Sequence, residues 1–179
     1  MLAPAILKEA ELRASFPGRL IQNDARFFYF QSYVDYDVVI DRNDWKRIQF
    51  VSIGNEQKLL AYFEARINRE SLIVEDLLVL NFWGTKLALQ QTKDLFHFVF
   101  YLFSARGIRK IYLRFIKDNP AGRQYERFIL RTAKCGSIQG ILTDYVILAD
   151  GKAYDLVIMD ILRDPYLEWY RSCAPHPAT

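Results

Sequence analysis

Between residues 47 and 80, three stretches rich in branched and aromatic side chains are joined by two connections of four residues, Gly54-Asn55-Glu56-Gln57 and Asn68-Arg69-Glu70-Ser71. A parallel strand needs a crossover of about a dozen residues or more, so links this short favour antiparallel neighbours. Residues 47–53, 58–67 and 72–80 are therefore expected to form an antiparallel meander. The pattern then changes. Residues 94–106 predict a helix closed by Gly107 in the position of a C-cap. Its apolar residues (Leu95, Phe96, Phe98, Val99, Phe100, Tyr101, Leu102, Phe103) surround most of it, as in a helix buried on more than one side. In 110–116, Ile111, Leu113 and Phe115 alternate with Tyr112, Arg114 and Ile116, which predicts a strand. It ends at Asp118-Asn119-Pro120, and a helix follows over 121–132. Residues 141–148 and 153–162 form a hairpin across Ala149-Asp150-Gly151-Lys152, where Asp-Gly is a strong turn signal. A meander ahead of a single βαβ unit makes a mixed α/β domain and excludes a doubly wound one.

The amino end is less explicit. Residues 4–16 carry Ile6, Leu7, Ala10 and Ala14 at helical spacing and are expected to stop before Pro17-Gly18. Residues 24–40 are dense in Phe and Tyr (Phe27, Phe28, Tyr29, Phe30, Tyr33, Tyr36) and fit either a second helix or loops around a pocket. With 179 residues, 51% of them hydrophobic, the chain has material for one core, and a single domain over 1–179 is expected. Lys8, Glu9, Glu11 and Arg13 interrupt the apolar stretch a signal peptide needs, and 95–103 is about half a membrane span. Cys135 and Cys173 lie far apart with no ligand cluster, so no disulfide scaffold, metal site or thiol nucleophile is expected. A soluble, cytoplasmic protein follows as the expectation.

The formal net charge of +3 argues for no anionic partner by itself. It is unevenly spread. Residues 106–134 hold nine Lys and Arg against Asp118 and Glu126, a local +7, which leaves −4 for the remainder. Arg123, Arg127 and Arg131 recur every four residues on one helix face, a solvated stripe or a surface for phosphates, an acidic substrate or RNA.

The segment RKIYLRFIKDNPAGRQYERFI joins a strand ending in Asn119, a helix start with a small residue at Pro120-Ala121, and Tyr125. It resembles the second conserved block of the Gcn5-related N-acetyltransferases (GNAT family). The element order from residue 45 onward and the closing hairpin GILTDYVILADGKAYDLVIMDILRDPY are similar as well. The resemblance implies a GNAT-like fold, a central mixed and mostly antiparallel sheet of six or seven strands with flanking helices. It implies acetyl-CoA as cosubstrate, held where two central parallel strands, 72–80 and 110–116, splay apart. Backbone groups of Val79, Leu80 and Asn81 would meet the acetyl-pantetheine, with Asn119, Ala121 and Arg123 contributing from the next strand end and helix. Tyr125 would protonate the departing thiolate. Glu75 would serve as base toward the amine, with Glu64 in reserve.

One stretch departs from the family. Where a typical member has a glycine-bearing loop that turns backbone N–H groups toward pyrophosphate, this chain reads Asn81-Phe82-Trp83-Gly84-Thr85-Lys86. Either CoA is held by another geometry, helped by Lys86 or Lys93, or its binding has been lost. The expected function is acetyl transfer from acetyl-CoA to a primary amine by direct attack in a ternary complex. The alternatives are a catalytically silent GNAT-fold binding or regulatory module, and an RNA- or ribosome-directed protein using the basic helix. His97 is expected as a hydrogen-bonded core residue. Tyr166, Trp169 and Tyr170 are expected to pack on the hairpin or to form a homodimer contact.

Overall fold

A short strand, Leu2–Pro4 (β1), precedes the meander of Arg47–Ile53 (β2), Leu59–Asn68 (β3) and Ile73–Asn81 (β4). The computed structural model describes residues 1–22, 39–82, 89–148 and 150–173, with residues 17–22 described by backbone alone. Neighbouring strands of the meander are antiparallel: Leu2 lies opposite Ser52, Arg47 opposite Arg66, and Ala61 opposite Asn81. Lys110–Ile116 (β5) then lies parallel to β4. Ile138–Ile147 (β6) and Ala153–Leu162 (β7) are antiparallel, with β7 inserted beside β5. The result is a seven-stranded sheet in the order β1-β2-β3-β4-β5-β7-β6. Its single parallel pair sits at the centre, so the sheet is mixed and mostly antiparallel as expected.

Among the described residues four α-helices flank it. A 3₁₀ turn at Ala5–Lys8 leads into Glu9–Gln22 (α1), and Leu89–Ser104 (α2) crosses between β4 and β5. Pro120–Glu126 (α3) runs on as a π-helical turn over Arg127–Thr132, and Arg163–Cys173 (α4) follows β7 directly. On one face, α2, the α3 segment and α4 cover Phe63, Leu77, Leu113, Val157 and Met159, joined by Phe98, Leu102, Phe103, Ile129 and Tyr166. On the other, Leu12 and Phe16 of α1 pack with Val51, Tyr62, Leu80 and Phe82. The α2 helix is buried on several sides as its sequence implied. Phe98 meets Phe50 and Phe63 of the sheet, while Phe96 and Phe100 meet Trp169 and Tyr170 of α4. Among the described residues no helix is long and apolar enough to cross a membrane.

Several expectations need correction. The first helix starts later than residue 4, because β1 and the 3₁₀ turn take the opening residues, and it runs through Pro17-Gly18. The missing Pro17 N–H removes one helical bond without ending the helix. Of the aromatic stretch 24–40, residues 24–38 lie outside the described residues. Trp169, Tyr170 and the buried Tyr166 belong to α4 and fill the space beside α2, where the Tyr166 hydroxyl donates to the Phe96 carbonyl at 2.8 Å. Val157, Met159 and Ile161 of the hairpin strand β7 belong to the same cluster, so these aromatics pack on the hairpin as well as beside α2. His97 is exposed on the outer side of α2, with its ring 5.8 Å from that of Tyr170.

Cys135 joins the α3 segment to the sheet. Its N–H donates to the Ile129 carbonyl at 3.0 Å, and its own carbonyl accepts from Leu162 N–H at 2.7 Å. Burial pushes the Cys135 thiol up from 9.0 to about 12. Between those values the native state keeps a proton that the unfolded chain has lost. The associated stability is therefore complete below about pH 9 and falls as pH rises toward 12. Three units at about 1.4 kcal/mol each make that loss about 4 kcal/mol. Cys135→Ala is expected to flatten the fall of unfolding free energy with pH in this window, measured by urea titration. An unchanged slope would place its origin in another group.

Candidate active site

The parallel ladder between β4 and β5 consists of Ile73 opposite Lys110 and Val74 opposite Ile111. Arg109 N–H donates to the Leu72 carbonyl at 2.8 Å just before it. Beyond Val74 the strands part. A bulge sits at that point: Arg66 faces Asp76 and Ile67 faces Val74, leaving Glu75 as the extra residue of β4. A bulge bends its strand and increases the local twist, which turns the rest of β4 away from β5. The backbone groups on that side of β4 are then left for a partner other than a strand.

The wedge opens under α2 and α3 as a cleft of about 110 Å³. Leu77 and Val79 of β4, Leu113 of β5, Leu95 and Val99 of α2, and Phe128 and Ile129 of the π turn make it strongly apolar. Thr92, Gln124, Tyr125 and Tyr166 are the lining residues that carry polar side-chain atoms. The Tyr125 ring packs on Phe115, with centroids 5.9 Å apart, and its hydroxyl has no hydrogen-bond partner among the described residues. Burial pushes the Tyr125 phenol up to about 12, so it is a proton donor throughout the neutral range.

Local sequence explains how Tyr125 is placed. Asn119 is the N-cap of α3, its Oδ1 accepting from Ala121 N–H at 2.9 Å, and Pro120 occupies the first helical position. Both choices suit a helix start. Gly122 then lets the helix settle on β5, since a Cβ there would lie 2.4 Å from the Phe115 ring. Tyr125 follows about one turn later and reaches over the same ring.

The other expected site residues are distributed as follows. Val79 lines the cleft. Leu80 turns its side chain to the opposite face, into the core beneath α1. The Asn81 Oδ1 accepts from Gln91 Nε2 at 2.8 Å, which ties the end of β4 to α2. Ala121 and Asn119 lie at the start of α3, with the Ala121 N–H used by the cap. Arg123, Arg127 and Arg131 are exposed, and none pairs with a carboxylate among the described residues. Phe82 is buried with Leu80 and Tyr62 on the α1 side, away from the cleft. Trp83, Gly84, Thr85 and Lys86 lie outside the described residues.

The two carboxylates expected as base are placed elsewhere. Glu75 is exposed at the bulge, accepts from Asn68 Nδ2 at 2.9 Å, and lines a separate groove with Trp45, Lys46 and Arg69. Glu64 is buried on the α1 side of the sheet. One of its oxygens accepts from the Tyr62 hydroxyl (2.6 Å) and Gln49 Nε2 (3.0 Å); the other meets Arg66 Nε (3.2 Å) and Arg47 (3.5 Å). A carboxylate has about four lone-pair sites, and these partners occupy them. Burial, and then the Glu64 charge, hold the Tyr62 phenol well above its ordinary value, so Tyr62 stays the donor in that bond. Among the described residues the cleft lining contains no carboxylate. Among the described residues no group of three or more His, Cys, Asp and Glu is arranged to hold a metal ion.

Thr92, Gln124, Phe128 and Tyr166 also line the cleft and were not expected there from the sequence. Gln124 and Phe128 flank Tyr125 at helical spacing, so a helix-face reading of 121–132 contains the signal. Tyr166 had none, because α4 was not foreseen.

A central parallel pair that splays under two helices, in a sheet of this order, is the fold of the Gcn5-related N-acetyltransferases. Solved structures with this fold include spermidine N-acetyltransferase SpeG from Vibrio cholerae. Over 96% of this chain and 99% of that one, a point variant of SpeG is 19% identical with a TM-score of 0.67. A second variant is 21% identical over 96% and 97%, with a TM-score of 0.66. A chimera of SpeG and hSSAT is 21% identical over 70% and 75%, with a TM-score of 0.60. No family model matches the chain, and no curated protein matches it in sequence.

Proposed function

We propose that this protein is an acyl-CoA-dependent N-acyltransferase that moves an acetyl group from acetyl-CoA to a primary amine by direct attack in a ternary complex. The observation that carries this reading is the parting of β4 and β5 after Val74 and Ile111 beside the unpartnered hydroxyl of Tyr125. The cosubstrate fits on chemical grounds. A pantetheine arm carries two amides on a slender apolar chain, and the wedge offers free β4 backbone along an apolar wall. Spermidine N-acetyltransferases among the structural neighbours act on an amine, which supports the same acceptor class here.

In this reading β4 from Val79 to Asn81 orients the thioester, and the amide Nδ2 of Asn119 remains free to meet the arm while its Oδ1 caps α3. Arg123 lies one helical turn into α3, where it offers a charge to the phosphates. The amine nitrogen attacks the thioester carbonyl and the carbon–sulfur bond breaks. Tyr125 gives its proton to the leaving thiolate and recovers one from solvent. With Glu75 in another groove and Glu64 fully engaged, the proton of the amine leaves through water. Such a reaction belongs in the cytoplasm, where acetyl-CoA is made and consumed.

Acetyl-CoA at about 100 times its Kd is expected to add about 2.7 kcal/mol, which raises the Tm of a chain this size by about 5–10 °C. Thiol release on mixing acetyl-CoA with di- and polyamines should accompany the shift. Absence of any shift at millimolar acetyl-CoA, with no other acyl-CoA substituting, would overturn the enzyme reading and leave a silent GNAT-fold module.

A further inference from the structure

The groove beside Glu75 takes no part in the transfer chemistry, and its ligand is independent of it. It lies where β2 begins and β3 ends and measures about 570 Å³, inside the range of about 300–1,000 Å³ typical of small-molecule sites. Its β2 wall is basic. The Lys46 side chain is exposed and pairs with no carboxylate among the described residues. Arg69 donates to the main-chain carbonyls of Asp44 and Trp45, which fixes the guanidinium and leaves its charge uncompensated. Arg47 and Arg66 meet one and the same oxygen of Glu64, at 3.5 and 3.2 Å. Beside them stands Trp45, 65% exposed. The Arg69 guanidinium covers one face of its indole, 5.5 Å from the ring centroid, a cation–π contact that leaves the other face to water. Across the groove, on β4, Glu75 offers its second oxygen, since the first accepts from Asn68 Nδ2 at 2.9 Å.

We propose that this groove binds a nucleoside phosphate: the base stacks on Trp45, the phosphate sits at Lys46 and Arg47, and the sugar hydroxyls donate to Glu75. Each part of such a molecule answers one feature of the site. A flat base covers the open indole face, and stacking of this kind accepts any base. A phosphate balances the charge of Lys46 and Arg69, and the Arg47 guanidinium suits its oxygens. A sugar hydroxyl donates to a carboxylate oxygen, which only accepts. Glu70 and Glu75 also line the groove, and their charges keep the phosphate on the β2 side. Other occupants meet fewer of these features. A polyamine is repelled by the basic wall, an inorganic anion leaves the indole in water, and an apolar ligand leaves the charges unanswered.

Calorimetric titration with AMP, with and without 1 mM acetyl-CoA, tests the site. AMP should bind with the same affinity in both cases, because the cleft between β4 and β5 is a separate place. Trp45→Ala should weaken AMP binding at least about fivefold, the lower end of what one stacked base contributes. Lys46→Ala should weaken it about threefold at low salt and less at about 0.5 M salt, where exposed charges are screened. Both side chains are exposed, so each variant should keep its Tm within about 2 °C of the wild type. Adenosine and inorganic phosphate, each carrying part of the ligand, should bind at least about tenfold more weakly than AMP. No binding of AMP at about 5 mM would overturn the proposal, as would its displacement by acetyl-CoA. So would unchanged affinity in Trp45→Ala, or inorganic phosphate binding as tightly as AMP.

Discussion

Tyr125→Phe is expected to lower kcat for acetyl transfer by about 10²–10⁴-fold, the range that a positioned proton donor contributes, while the Kd for acetyl-CoA changes less than about twofold. The two effects separate because the substitution removes one oxygen and nothing else. The ring keeps its contact with Phe115, and no protein group loses a partner, since the hydroxyl has none among the described residues. Stability should consequently hold, with Tm within about 2 °C of the wild type, as for a substitution that opens no cavity and orphans no polar group. The pH profile gives a second reading. A phenol pushed up to about 12 remains protonated until far above the neutral range. Activity loss on the alkaline side below about pH 10 must then come from a different group and should persist in any residual activity of the variant. Initial rates of thiol release and calorimetric titration with acetyl-CoA measure both quantities. Equal rates for variant and wild type would remove Tyr125 from the chemistry.

How far this site was legible depended on which physical signal each residue left. Asn119 and Tyr125 were singled out because a strand end, a helix cap and a one-turn spacing are local patterns, and the cap and the helix they imply are present. The bounds of β2, β5 and β7 agree with their apolar alternation and turn residues for the same reason. Glu75 was misplaced by a feature with no compositional mark. One extra residue in β4 resets which side chains share a face, so Val74, Leu77 and Val79 belong to the cluster that includes the cleft wall while Glu75 stands outside it. Glu64 shows the converse: its position on β3 was correct, but the four groups that engage it come from β2 and β3 together. The α4 helix was missed because it follows β7 with no connecting turn, although Asp164 and Pro165 in its first turn are a helix-start signal. The resemblance to the GNAT family nonetheless located the splayed pair, because the order of elements is set by the short links that force the meander.

The segment 135–137, which joins the π turn to β6, carries the second large effect. Gly136→Ala is expected to cost at least about 3 kcal/mol, in the range of severe backbone overlap and overpacking, and to lower Tm by about 6–12 °C. A Cβ at this position would lie 1.8 Å from the Asp160 carbonyl oxygen and 2.9 Å from Ile129 Cγ2. Backbone retreat is blocked on both sides. Leu162 N–H is bonded to the Cys135 carbonyl at 2.7 Å and Asp160 N–H to the Ser137 carbonyl at 3.0 Å. The Asp160 carboxylate also accepts from Ser137 N–H at 2.8 Å and pairs with Lys110 at 3.0 Å, so moving β7 would disturb β5 as well. The strain has an outlet in Ile129, which lines the cleft beside Tyr125. A variant that remains folded at low temperature should therefore show a raised KM for acetyl-CoA along with its lower Tm, because the wall of the wedge has shifted. Differential scanning calorimetry and initial-rate kinetics test the two parts. A Tm within about 2 °C of the wild type would mean that the 135–137 segment can move away from β7, and that its stitching contributes little to holding the cleft open.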